Sequence, residues 1–222
     1  MKIVIANSNS IHQQIERRCK QEFDSPIIHT RDELTLQYLQ SIRPDFIFFL
    51  HWSYFIPKEI YENFNCVVFH MTDLPYGRGG SPLQNLIVRG HSETMISALQ
   101  VNEGIDTGPV YLKKKLSLNG TAEEIFLRSG KVMFEMIGEI LTNNLQPQEQ
   151  SGEPVEFKRR TPADSNIGAL TDTETVFNFI RMLDAQGYPK AFLETEYFRF
   201  EFSRASLKAD GITADVKIIK KT

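Results

Sequence analysis

The stretch FHMTDLPYGRGGSP, residues 69–82, sets a histidine, His70, at the front of a loop that holds an acid, two prolines, an arginine and three glycines. Imidazole is the side chain whose ordinary pKa lets it exchange protons near neutral pH, so His70 is a candidate general base or donor to a developing oxyanion. Thirty-six residues on, NEGIDTGP at 102–109 presents Asp106 between Gly104 and Gly108. A carboxylate held against an imidazole fixes its tautomer and favours its charged form. Arg78, with the amides of Gly79, Gly80 and Ser81 ahead of a helix, has the makings of a cradle for an anion. Singly, each feature also has a plain structural reading: a histidine bonded to a loop carbonyl, an Asx turn, a solvated arginine.

The elements that must position these groups follow from the apolar pattern. KIVIA at 2–6, SPIIHT at 25–30, DFIFFLHW at 45–52 and CVVFH at 66–70 read as strands, the last ending at His70. IFFL is apolar on both faces, as a central parallel strand is. Helices are predicted from Ile11 to about Glu22, over RDELTLQYLQSI with Leu34, Tyr38 and Leu39 on one face, and over SPLQNLIVRG with Ser81 as cap and Gly90 as stop. TMISALQVN and YLKKKLSL are further strands, and a Thr121 to Glu124 capping box opens the longest helix, at 121–145. This alternation predicts an α/β fold, a Rossmann-like, mostly parallel sheet, with His70 beyond a strand's carboxyl end where ligands sit. QPQEQSGEP reads as a connector, so residues 1–150 are expected to form a catalytic domain and 151–222 a small α+β lobe: a helix at about 173–185 and a terminal β-hairpin.

Composition limits the chemistry. The net charge of −3 over 222 residues shows no basic excess for a polyphosphate backbone, so a nucleic-acid partner is not expected. Two cysteines, Cys19 and Cys66, and five scattered histidines show no metal-ligand spacing, which argues against a metal site and a disulfide framework. With no long apolar run and no cleavage-site pattern, the chain is expected to be cytoplasmic, with no membrane partner.

Taken in order, VVFHMTDLPYGRGGSP, EGIDTGPV, EFKRRTPADSNI and FNFIRMLDAQGYPKAFL resemble the formyltransferases that use N10-formyltetrahydrofolate, over nearly the whole chain. The resemblance implies the formyltransferase fold, N10-formyltetrahydrofolate as donor, and His70 with Asp106 as catalytic residues. It implies a pterin pocket walled by Trp52, Tyr54, Phe55 and Ile56 and read by backbone groups of Asn102, Gly104 and Ile105. The family's asparagine two positions before the histidine is replaced by Val68, which has no group to steady a formyl oxygen. His51, Ser53, Thr72 or a backbone amide would have to substitute.

The loop YGRGGSPLQNLI looks most like the sugar N-formyltransferase branch, and 222 residues leave no room for a separate nucleic-acid-binding barrel. The expected acceptor is therefore the amino group of a nucleotide-linked 4-amino-4,6-dideoxy sugar, with Arg78, Gly79, Gly80 and Ser81 binding it. A formyltetrahydrofolate hydrolase or another small-amine formyltransferase, and a non-catalytic folate or sugar-nucleotide binding protein, are the alternatives. Phe198, Phe200 and Phe202 share a strand face that needs cover, from the chain's own helix or from a second copy. A homodimer is expected.

Overall fold

The computed structural model describes residues 1–221. In chain order the elements are β1 (Ile3–Asn7), α1 (Gln13–Phe23), β2 (Ile27–Ile28), α2 (Leu36–Ile42), β3 (Phe46–His51), α3 (Lys58–Tyr61), β4 (Cys66–His70), β5 (Tyr76–Gly79) and α4 (Pro82–Val88). There follow β6 (Glu93–Gln100), β7 (Val110–Ser117), α5 (Ala122–Asn143), β8 (Val155–Phe157), α6 (Thr173–Leu183), β9 (Ala191–Glu194), β10 (Phe198–Lys208) and β11 (Gly211–Lys220). The described chain divides into two units. Met1–Gly79, Thr94–Leu116 and Phe126–Glu156 make the first; Gly80–Glu93, Ser117–Ile125 and residues 157–221 make the second.

The first unit is built on a six-stranded sheet in the order β2-β1-β3-β4-β6-β7. β1 runs parallel to β2 and β3, and β3 to β4, while β6 is antiparallel to β4. Every residue of β1 is buried and Phe48 and Phe49 of β3 are sealed, so the apolar β-branched and aromatic runs lie on both faces in the core. Each such side chain contributes about 1.5–3 kcal/mol by leaving water. α5 closes on α1 at Gly130, where a Cβ would come within 2.8 Å of Ile15 and 2.9 Å of His12 Nδ1, so only a glycine permits this approach.

The second unit holds α4, α6 and an antiparallel sheet in the order β11-β10-β9. The lobe was expected to end in a two-stranded hairpin, but β9 adds a third strand, pairing Ala191 to Phe202 and Leu193 to Phe200. Its four residues follow Pro189 too closely to show an alternating pattern. α6 packs on this sheet: Val176 and Ile180 line one apolar cleft with Phe202, Ile212, Ala214 and Val216. The chain's own helix thus covers the Phe202 end of the phenylalanine face, while Phe198 at its other end is exposed.

Other local expectations change for identifiable reasons. The helix predicted over 31–42 is a 3₁₀ turn at Arg31–Glu33 followed by α2, because Thr30 and Glu33 close a capping box and Thr35 then caps afresh by accepting from the Tyr38 amide. Leu34 and Leu39 are buried but Tyr38 is exposed. Ser81 precedes α4 without capping it; its φ is 51° and its hydroxyl accepts instead from the Arg160 amide. The box at Thr121 and Glu124 forms as expected, Glu124 Oε2 taking the Thr121 amide at 2.7 Å and Thr121 Oγ1 taking the Glu124 amide at 3.3 Å. Among the described residues no helix is long and apolar enough to cross a membrane, and no group of three or more His, Cys, Asp or Glu could hold a metal ion.

Candidate active site

β4 lies between β3 and β6 and carries Cys66, Val67 and His70 into the interior; His70 is 8% exposed. Alternation along the strand sets Val68 on the face of Cys66 and His70. Val68 packs there against the cluster of Val4, Ala6, Ile47, Phe49 and Cys66, so an apolar side chain suits a position where the family pattern has an amide.

Beyond β4 the chain bends back through β5, which lines up on β8 with the Val155 amide donating to the Pro75 carbonyl at 3.2 Å. This return puts the Gly77 carbonyl 2.7 Å from His70 Nε2. A carbonyl only accepts, so Nε2 carries the proton. The other ring nitrogen, Nδ1, lies 3.4 Å from Asp106 Oδ2, and the same oxygen accepts the Gly79 amide at 2.9 Å. Gly77 and Gly79 have φ of 79° and 102°, in the left-handed region that an L side chain resists. The histidine thus makes both contacts weighed from the sequence, a loop carbonyl on one nitrogen and Asp106 on the other.

Asp106 reaches His70 from the loop between β6 and β7 at a φ of 53°, an uncommon conformation for a residue with a Cβ. The loop is sterically fixed at Gly108, where a Cβ would stand 1.8 Å from the Gln100 carbonyl oxygen. Asn102 shapes its other end by accepting from the Gly104 amide at 3.1 Å and the Thr107 hydroxyl at 2.8 Å. Ile105 is exposed.

Arg78 is joined to this loop through a residue that the sequence reading passed over. Its Nε and Nη2 donate to Gln150 Oε1 at 3.1 and 2.8 Å, and Gln150 Nε2 donates to the carbonyls of Asp106 and Gly108, both at 2.8 Å. Gln150 lies in the supposed connector, which is brought here by a bridge between Gln148 and Val110. A polar segment without apolar period gives no sign of such a bridge.

Two of the three amides of the expected anion cradle have partners within the chain. The Gly79 amide serves Asp106, and in the second unit the Gly80 amide serves the Phe157 carbonyl at 3.2 Å while Ser81 Oγ accepts from Arg160. The amides of Gly79 and Gly80 are thus taken up by protein acceptors, while the Ser81 hydroxyl serves here as an acceptor.

Of the expected pterin wall, Trp52 and Ile56 pack against the core while Tyr54 and Phe55 are exposed, Phe55 by 83%. Trp52 stands edge-on to Phe49 at 5.6 Å and Tyr54 at 5.3 Å, and its buried indole N–H has no partner among the described residues. An orphaned donor beside exposed aromatic surface fits a flat heterocycle with acceptor atoms.

The substitutes considered for the family asparagine are otherwise engaged. The Thr72 hydroxyl is 3.4 Å from the Gly77 carbonyl, and the Ser53 amide donates to Ser8 Oγ. His51 turns toward His12 and Phe126, at 5.6 and 5.4 Å between ring centres. Burial pushes the His51 imidazole down to about 4, and burial followed by the His51 charge pushes His12 down to about 3, so both rings are neutral near pH 7.

A mostly parallel sheet with an imidazole and a carboxylate held together beyond its strand ends is the layout of an enzyme that moves protons during group transfer. Comparison with known proteins gives the group: a family model described as formyl transferase matches residues 5–128, more than half of the chain. The chain belongs to the formyl transferase family, whose members are enzymes that take formyl groups from N10-formyltetrahydrofolate. A second model, described as the methionyl-tRNA formyltransferase C-terminal domain, matches residues 162–219.

A structure of a methionyl-tRNA formyltransferase from Clostridium thermocellum is 51% identical, with a TM-score of 0.97 and 100% of both chains covered. The methionyl-tRNA formyltransferase of Thermodesulfovibrio yellowstonii is 26% identical over 68% of this chain, which spans 52% of that relative's length. HypX from Aquifex aeolicus, in complex with tetrahydrofolic acid, shares the fold at 18% identity and a TM-score of 0.76, covering 92% of this chain and 38% of its own.

These likenesses overturn the expected acceptor. A nucleotide-linked sugar and the exclusion of nucleic acid both give way, because the relatives in sequence and the whole-length structural neighbour are methionyl-tRNA formyltransferases, while sugar N-formyltransferases share the fold at only 13% to 19% identity. Two steps of the reading failed. Length was taken to leave no room for a C-terminal domain, yet the lobe matches one. The charge inference also fails as an exclusion: residues 151–222 hold eleven Lys and Arg against eleven Asp and Glu, and a lobe of balanced charge does not rule out a nucleic-acid partner.

Proposed function

We propose that the chain transfers the formyl group of N10-formyltetrahydrofolate to the α-amino group of methionyl-tRNA, in the cytoplasm, with residues 1–150 as catalytic domain and 151–222 as the lobe that meets the acceptor. What carries the reading is the His70–Asp106 pair, 3.4 Å apart, in a chain 51% identical along its whole length to a methionyl-tRNA formyltransferase structure.

In the reaction the acceptor nitrogen bonds to the formyl carbon, the bond from that carbon to N10 breaks, the amine loses a proton and N10 gains one. The donor supplies the activated formyl carbon. Trp52, Tyr54, Phe55 and Ile56, with backbone groups of Asn102, Gly104 and Ile105, would hold its ring. His70 would stabilise the oxyanion through Nε2–H or, with its proton moved to Nδ1 against Asp106, take the amine proton at Nε2, and Asp106 would hold the charge that the ring then gains. His70 has Nε2–H on the Gly77 carbonyl, so it works through that atom only when an acceptor oxygen replaces the carbonyl. Val68 leaves the second oxyanion donor to a main-chain amide or a substrate group.

The test is release of tetrahydrofolate with methionyl-tRNA, uncharged tRNA or no acceptor. Turnover that requires the charged tRNA supports the proposal, whereas acceptor-independent release or none at all rejects it.

A further inference from the structure

We infer that Gln150 is a positioning residue for the His70–Asp106 pair, an inference that rests on the formyl-transfer reading for its kinetic consequence. The Gln150 amide NH₂ donates to the carbonyls of Asp106 and Gly108, on either side of Thr107, at 2.8 Å each. Its carbonyl takes two donors from one guanidinium, Arg78 Nε at 3.1 Å and Nη2 at 2.8 Å. One side chain therefore fills its two donor sites and both acceptor lone pairs, and it does so between the two loops that carry the chemistry.

The need for such a clamp is visible in the backbone. Asp106 is held at a φ of 53°, a conformation that costs a residue with a Cβ and persists only where the surroundings over-determine it. Gly108 is wedged against the Gln100 carbonyl on one side, and Gln150 secures the carbonyls on the other. The Asp106 carboxylate then points at both the Gly79 amide and His70 Nδ1. Arg78 reaches Gln150 from the residue just before Gly79, so the clamp ties together the two loops that meet at Asp106.

The chemistry of the clamp dictates its test. Gln150→Glu keeps an acceptor for Arg78 but sets carboxylate oxygens against two carbonyls, while Gln150→Met keeps the length and removes all four bonds. In single-turnover and steady-state formyl transfer, Gln150→Glu is expected to lower kcat at pH 7.5 at least 10-fold, with KM for the donor within about 3-fold of the unmodified protein. That deficit should shrink as pH falls and the introduced carboxyl regains a proton to donate; Gln150→Met should show no such recovery. Exchange of the Gly79 amide hydrogen, followed by NMR, should quicken at least 10-fold in both variants, because that amide loses a held carboxylate.

The exchange measurement needs no substrate, so it judges the clamp even if the unmodified protein proves inactive on methionyl-tRNA. That second outcome would reject the proposed function alone. Wild-type Gly79 exchange in both variants would overturn the inference. So would a kcat deficit equal in the two variants at every pH and matched by loss of folded protein, since that is the mark of a merely structural residue.

Discussion

Acidification should loosen this protein well above the pH at which its carboxylates titrate, and the cause is a pair of buried imidazoles. His12 is 2% exposed, its Nδ1 has no partner among the described residues, and its ring lies 5.6 Å from that of His51. Burial holds His12 at about 3 and His51 at about 4, against an ordinary value of 6.5. The unfolded chain therefore takes up protons that the folded chain refuses. Stability is full above pH 6.5 and falls as pH drops below it, until the folded pKa values are reached. At pH 5 the mismatch removes about 2 kcal/mol per histidine relative to pH 8, or about 4 kcal/mol for both. That is a large share of the roughly 5–15 kcal/mol by which a domain is stable. The exposed carboxylates held low, Glu33, Asp164, Asp172 and Glu194, lose their own contribution only as pH falls through the ordinary carboxylate range, which lies below the pH 8 to pH 5 comparison. Urea denaturation at pH 8 and pH 5 measures the loss, and His12→Leu should roughly halve it. A loss under about 1 kcal/mol in the unmodified protein, or an undiminished loss in His12→Leu, would refute the reasoning.

His70→Asn should lower kcat for formyl transfer by about 10² or more with little change in donor binding measured by equilibrium titration; near-normal turnover would remove His70 from the mechanism. Asp106→Asn removes the charge facing His70 Nδ1 and weakens the acceptor for the Gly79 amide, so activity should fall at least 10-fold and Gly79 exchange should quicken; full activity would leave Asp106 as a loop former. Gly108→Ala drives a methyl into the Gln100 carbonyl, and loss of activity together with a lower melting temperature is expected by calorimetry.

The parts of the fold legible in the sequence were those written locally. β4 ends at its histidine, the Thr121 box opens α5, and the IFFL run lies in the core, because apolar period and capping chemistry act within a few residues. The candidate acid and base were legible for the same reason, each sitting in a loop marked by glycines. What escaped was set by pairings distant in sequence. β5 meets β8 some eighty residues later, Gln150 reaches back to Arg78, and Ser81 gives its hydroxyl to Arg160 rather than to α4. None of these residues carries a pattern of its own that names its partner. The acceptor was misjudged through length, since the short lobe at 162–219 carries no local pattern that names its partner.

The partners that hold His70 and Asp106 on the β5 side are main-chain atoms, the carbonyl of Gly77 and the amide of Gly79. No side-chain replacement between Met71 and Tyr76 removes these main-chain groups themselves, so the length of that segment bears on the pair directly. One residue inserted or removed would slide a different carbonyl and a different amide under the pair.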